Sequence, residues 1–280
     1  MTFAGGAEPV RQLAFAGSWY DADDVRLGAD IDAWLSEAPP VNGDVISLVA
    51  PHAGLRYSGR IAAWSYAALA GRSLEAVVLI GPSHYVAFRG CAMLRAGAMA
   101  TPWRPLPIHS ELAGDLLSAT PLLSDERRDV HDQEHSLELH LPLLARVQPD
   151  VPVVPILMGE QNSRTAEALA NALATTLSGR AVVVAASSDL SHFHPRTVAR
   201  SLDAPLLDCF DRRDAEGLMA ILEHDPGRAC GGGPVVAALG AAVARGADDG
   251  GVRQYGDSGD VSGDVARVVG YASAVWTRRT

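Results

Sequence analysis

Short apolar, β-branched runs separated by Ala/Leu-rich stretches of helical period restrict this chain's fold more than any other feature. The runs at 45–49, 76–80, 151–158, 181–184 and 268–276 are short and nearly continuous in apolar character, so each reads as a strand buried on both faces. Between most of them, 60–69, 165–177 and 214–222 carry helical spacing, and 234–244 is a further Ala-rich helix opened by Gly231, Gly232 and Gly233. Strand and helix alternating in this way imply an α/β fold, with a mostly parallel sheet covered by helices on both faces. Residues 88–108, two short apolar runs followed by a Pro-rich stretch, read as a hairpin or edge insertion. The Gly/Asp-rich 246–263 reads as a surface loop. No internal repeat or linker divides the 280 residues, and a single domain over 1–280 is expected.

Charge and composition remove several function classes. The formal net charge is -10, with no basic stripe to track a phosphate backbone, so nucleic-acid binding is not expected. All 23 basic residues are Arg, which excludes Schiff-base chemistry and the phosphate-gripping Lys of a P-loop. No apolar run approaches the roughly 20 residues that span a bilayer, and the N-terminus lacks a signal-peptide pattern. With Cys91, Cys209 and Cys230 widely spaced and odd in number, a reducing, cytoplasmic setting is expected. Cys91 and Cys209 lie in apolar surroundings and read as core.

In α/β sheets of this kind the ligand crevice forms at the C-terminal ends of the parallel strands. The strand ends here run into Pro51-His52-Ala53-Gly54, Gly81-Pro82-Ser83-His84 and Ser187-Ser188-Asp189-Leu190-Ser191-His192. Each delivers a His to one sheet edge. Convergent neutral imidazoles suit Fe(II), Zn or Cu, whereas any one of them alone would equally cap a turn or bond a carbonyl. Cys230, just before the glycines that open a helix, offers a thiol whose pKa a helix N-terminus lowers; a buried, inert Cys is the alternative.

The segment His131-Asp132-Gln133-Glu134-His135 spells the inverted zinc-protease motif, whose two His would lie one turn apart on a helix. A Zn hydrolase is therefore a minor alternative. Glu134, His135, Glu138 and His140 otherwise line the site or support its ligands, or form a solvated helix start. Trp19 either lines the pocket or anchors the chain end. Arg56 and Tyr57, just after the first His, either orient an anionic or aromatic ligand or cap the helix that follows.

The strings AGSWY, PHAGLRYSG, GPSHYVAF, EHSLELHLP, VPILMG, SSDLSHF and CGGGP occur in the order seen in the Memo family, and the chain resembles its prokaryotic branch, the AmmeMemoRadiSam system protein B group, over about 11–276. The resemblance implies a three-layer α/β/α sandwich with a mostly parallel mixed sheet, like that of class III extradiol dioxygenases. It implies His52, His84 and Cys230 as metal ligands, His192 as acid/base with Asp189 beside it, and Trp19, Tyr57, Glu134 and His135 as substrate-binding or supporting residues. Fe(II) is the metal it favours, with Cu and Zn as alternatives. The dioxygenases complete their triad with a carboxylate, and the thiolate of Cys230 in its place shifts preference toward softer ions. The expected activity is that of an iron- or copper-dependent oxidoreductase. The alternative is a non-catalytic module that binds a metal, a small molecule or peptide, or a partner protein, the resemblance naming an AMMECR-type protein and a radical SAM enzyme.

Overall fold

The computed structural model describes residues 9–279. Its strands are β1 (Val10–Arg11), β2 (Asp44–Ala50), β3 (Ala76–Pro82), β4 (Cys91–Met93), β5 (Ala98–Met99), β6 (Leu106–Pro107), β7 (Leu123–Ser124), β8 (Val153–Met158), β9 (Val182–Ser187), β10 (His192–His194), β11 (Asp249–Asp257) and β12 (Val268–Arg278). Its α-helices are α1 (Asp24–Ser36), α2 (Leu55–Tyr66), α3 (Ser110–Ala119), α4 (His135–Glu138), α5 (Leu141–Val147), α6 (Ser163–Thr176), α7 (Arg196–Arg212), α8 (Ala215–His224), α9 (Gly232–Ala244) and α10 (Gly259–Ser262).

The main sheet runs β10-β12-β2-β9-β3-β8-β4-β7, with β11 added beside β12. The pairs β2–β9, β9–β3 and β3–β8 are parallel and form its centre. Antiparallel strands flank them, β12 on β2 and β4 on β8. Side chains alternate across a strand, and in β3 Val77 and Leu79 enter one apolar cluster while Val78 and Ile80 enter the other. The first cluster continues into α1, α2 and α5, the second into α3 and α6 to α9. The fold is a three-layer α/β/α sandwich on a mixed sheet, and continuous apolar runs follow from covering both faces.

Helix starts are set locally. Asp23, Asn162 and Asp214 accept hydrogen bonds from first-turn amides of α1, α6 and α8. α9 has no such side-chain cap, and ten of its thirteen residues are buried, so packing alone fixes its position. Cys91 and Cys209 are buried as expected.

Two expectations need correction. Residues 246–263 are not a loop: β11 runs through them and pairs antiparallel with β12 along nearly its whole length. The glycines that suggested a loop serve the strand, since at Gly250 (φ +92) a Cβ would overlap the Val275 carbonyl. In 88–108, β4 joins the main sheet while β5 pairs with β1 and β6 in a small separate sheet. Among the described residues no helix is long and apolar enough to cross a membrane.

Candidate metal centre

Because β9 lies between β2 and β3, the segments leaving these three strands meet at one sheet edge. His52, leaving β2, is 2% exposed, and its backbone N–H donates to Asp189 Oδ1 (2.8 Å), as does that of Ala53 (3.2 Å). Asp189 thus pins the turn that carries His52. Desolvation raises its carboxyl to about 7, against the backbone hydrogen bonds that lower it. His84, leaving β3, donates from its backbone N–H to Glu134 Oε2 (2.6 Å), and its Nδ1 lies 2.8 Å from Glu134 Oε1. A carboxylate accepts only, so His84 holds a proton on Nδ1. Burial alone raises Glu134, and the bonds it accepts from His84 and Ser136 outweigh that and leave it below its ordinary value.

The rings converge. His52 and His84 have centroids 5.1 Å apart, and His135 stacks on His84 at 4.3 Å. Ligand atoms of His52, His84 and His135 lie within 4.8 Å of one another, as do those of His52, Asp189 and Cys230. His52 is common to both sets, and neither set holds His84 together with Cys230. Buried His135 Nδ1 makes no hydrogen bond, although Glu134 Oε1 lies 3.3 Å away, and burial first, then the charge of His84, lower the ring to about 4. Three converging imidazoles beside a thiol and a carboxylate form a donor set that fits a transition-metal ion.

Cys230 Sγ is 3.2 Å from His52 Nε2 and accepts from the Asp189 N–H at 3.3 Å. The expectation that a helix start lowers this thiol is reversed: burial, then the Asp189 charge, push it up. The glycines that follow permit its close approach. A Cβ on Gly231 would overlap the Ser187 carbonyl at the end of β9, and the Gly231 N–H donates to Ser188 Oγ (3.0 Å).

His192 opens β10 and pairs with Val269 of β12; burial first, then the charge of His84, lower its pKa. The next residue, Phe193, is 60% exposed with φ 62, a strained backbone position beside the site. Trp19 packs on His135 (centroids 4.4 Å), and Tyr85 approaches it from the outer side at 5.6 Å. Tyr57 stands 38% exposed on the first turn of α2 under the Arg56 guanidinium, and among the described residues it makes no hydrogen bond to the cluster.

The inverted zinc-protease motif does not form. His131 ends a 3-10 turn (Arg128–His131), whereas His135 starts α4 and Glu134 caps it. Both nitrogens of His131 are buried without partners, and it belongs to neither ligand set. Glu138 is fully buried and holds the N-terminal segment, accepting from Arg11, the Ala14 and Phe15 amides and Tyr20 Oη. That segment carries Trp19 onto His135, and the Trp19 carbonyl accepts from the Leu55 N–H (2.8 Å) just past His52. Sequence reasoning missed Ser187 and Tyr66. Ser187 Oγ lies 2.6 Å from His52 Nδ1, 2.8 Å from His140 Nε2 and 2.6 Å from the Ser136 carbonyl, and Tyr66 Oη lies 2.7 Å from His140 Nδ1. The paired serines at the end of β9 were the available signal.

A cavity of about 730 Å³ lies at the opposite sheet edge, lined by Arg72, Arg180, Arg245 and Arg278. Arg72 and Arg245 bond backbone carbonyls, while Arg180 and Arg278 pair with Glu75 and Asp44. These arginines are thus already engaged in holding the strand starts and loops at that edge.

The Memo-like protein family model matches residues 11–275. A MEMO1 family protein of Methanopyrus kandleri is 34% identical over 96% of this chain and 99% of its own length. One from Methanothermobacter thermautotrophicus is 32% identical over 94% and 99%. The crystal structure of an uncharacterized protein from Escherichia coli K12 matches with TM-score 0.56 over 81% of this chain and 99% of that one, at 15% identity, a likeness of fold.

Proposed function

The chain belongs to the Memo-like protein family, and on that footing we propose that it is a metal-dependent oxidoreductase whose ion sits among His52, His84, His135 and Cys230. The carrying observation is the convergence of three imidazoles, His52 and His84 from the turns after β2 and β3 and His135 from the start of α4, two of them held from behind by buried oxygen acceptors. This is how ligating histidines are oriented. Fe(II) is the favoured ion, and bound there it would supply electrons and open coordination positions toward dioxygen; Cu is the next choice, given the thiol.

The protein's own groups divide the remaining work. Glu134 and Ser187 hold the rings of His84 and His52. Asp189 fixes the turn bearing His52 and supports Cys230 through its backbone N–H. His192, with its lowered pKa, is neutral at pH 7 and suited to accept a proton from a substrate bound beside His84. Trp19 and Tyr85 pack aromatic surface against His135. The test is oxygen consumption or redox cycling by Fe(II)-loaded protein against reducing aromatic substrates. The expected result is activity that Cys230→Ser and His84→Ala abolish. Metal-loaded wild type with neither activity would remove the oxidoreductase reading.

A further inference from the structure

Behind the imidazole cluster runs a buried chain, Tyr66 to His140 to Ser187 to His52, that no catalytic step uses. Ser187 Oγ is the centre of it, with His52 Nδ1 (2.6 Å), His140 Nε2 (2.8 Å) and the Ser136 carbonyl (2.6 Å) around it. A hydroxyl has one proton to give and two lone pairs. The Ser136 carbonyl accepts only, so the Ser187 proton goes there, and both ring nitrogens must donate to Ser187. His140 then carries its proton on Nε2 and presents a bare Nδ1, which accepts from Tyr66 Oη (2.7 Å). His52 carries its proton on Nδ1 and presents a bare Nε2, the atom 3.2 Å from Cys230 Sγ. Every polar atom in the chain is satisfied by this one assignment.

We infer that Ser187, itself set by Ser136 and the Tyr66–His140 pair, is a positioning residue that locks His52 in the tautomer whose Nε2 lone pair faces Cys230 and the ligand cluster. The consequence for metal affinity rests on the proposed metal centre; the tautomer assignment does not. Burial supports the lock, because Ser187 is 1% exposed and His140 1%, so no water competes for either ring, and desolvation holds His140 neutral at about 3.

The experiment is long-range proton–nitrogen NMR of histidine-labelled, chelator-treated full chain at pH 7.5, with the His52 and His140 signals assigned by loss in His52→Gln and His140→Gln. The expected pattern is Nδ1–H for His52 and Nε2–H for His140. In Ser187→Ala the His52 ring should become a mixture of tautomers, and Ser187→Thr, which keeps the hydroxyl, should restore the single form. Zn(II) titration against a competing chelator should show Ser187→Ala binding about 10- to 100-fold more weakly than wild type, with Ser187→Thr closer to wild type. Should Ser187→Ala not fold, the wild-type pattern still decides. Either ring protonated on the other nitrogen, or a His52 tautomer unchanged in folded Ser187→Ala, overturns the inference. Wild type that takes up no Zn(II) while showing the expected tautomers would refute the metal centre and leave the lock standing.

Discussion

Glu138→Gln is the substitution whose cost follows most directly from the geometry. The carboxylate is fully buried and accepts from the Arg11 guanidinium, the Ala14 N–H (2.9 Å), the Phe15 N–H (2.9 Å) and Tyr20 Oη (2.8 Å). Gln keeps the volume but removes the charge and turns an amide NH₂ toward groups that are themselves donors. Arg11, 2% exposed, keeps its bonds to the carbonyls of His131 and Glu134 but loses its one ion-pair partner among the described residues. Breaking one side of a buried pair costs about 3–5 kcal/mol, a large part of the roughly 5–15 kcal/mol that holds a protein folded. Urea unfolding should show that loss, whereas Tyr20→Phe, which removes a single hydrogen bond, should cost about 1–2 kcal/mol. Amide exchange at Leu55, whose N–H is held by the Trp19 carbonyl, should accelerate in Glu138→Gln as the segment loosens. A cost below about 1 kcal/mol would refute the view that this carboxylate anchors the segment over the site.

Stability should also fall with acid. Burial depresses His131 and His140 to about 3, so the unfolded chain binds these protons first; their contribution is complete above pH 6.5 and is lost as pH falls toward 3. Asp189, raised to about 7 by burial, acts in the opposite sense and gains as pH falls from 7 toward 4. From these three groups together the net loss between pH 6.5 and 4.5 is about 2 kcal/mol; denaturant midpoints that rise over that interval would contradict the burial of the two histidines. Gly231→Ala places a Cβ against the Ser187 carbonyl and Ser188 and should cost about 1–3 kcal/mol, with Cys230 more reactive toward a thiol reagent; an unaltered Tm would count against that close contact. Glu134→Gln removes the charge behind His84 Nδ1 and should weaken metal binding about 10- to 100-fold, measurable by chelator competition.

Much of this was legible in the chain because burial on both faces leaves a plain sequence trace. The runs at 45–49, 76–80 and 181–184 became β2, β3 and the start of β9, and the His at 52 and 84 followed the first two into one edge. What stayed hidden depends on tertiary contact. β11 carries Gly250, Gly251 and Gly256 because backbone and side chains press against it, and local composition alone reads that as a loop. His135 was read as a supporting residue and lies within ligand distance of His52 and His84, since the break between the 3-10 turn and α4 redirects it away from His131. Ser187 and Tyr66 are ordinary residues of a strand and a helix; only the packing of α2 and α4 against the sheet gives them their partners.

Metal content of protein purified anaerobically without a histidine tag, measured beside His52→Ala, His84→Ala and Cys230→Ser, bears most directly on the proposed centre. Near-stoichiometric iron or copper in the wild type, lost in His52→Ala and His84→Ala and reduced in Cys230→Ser, is the expected result. A wild type that holds no transition metal after reconstitution, or a His52→Ala variant that retains it in full, would contradict a metal centre built on the ends of β2 and β3.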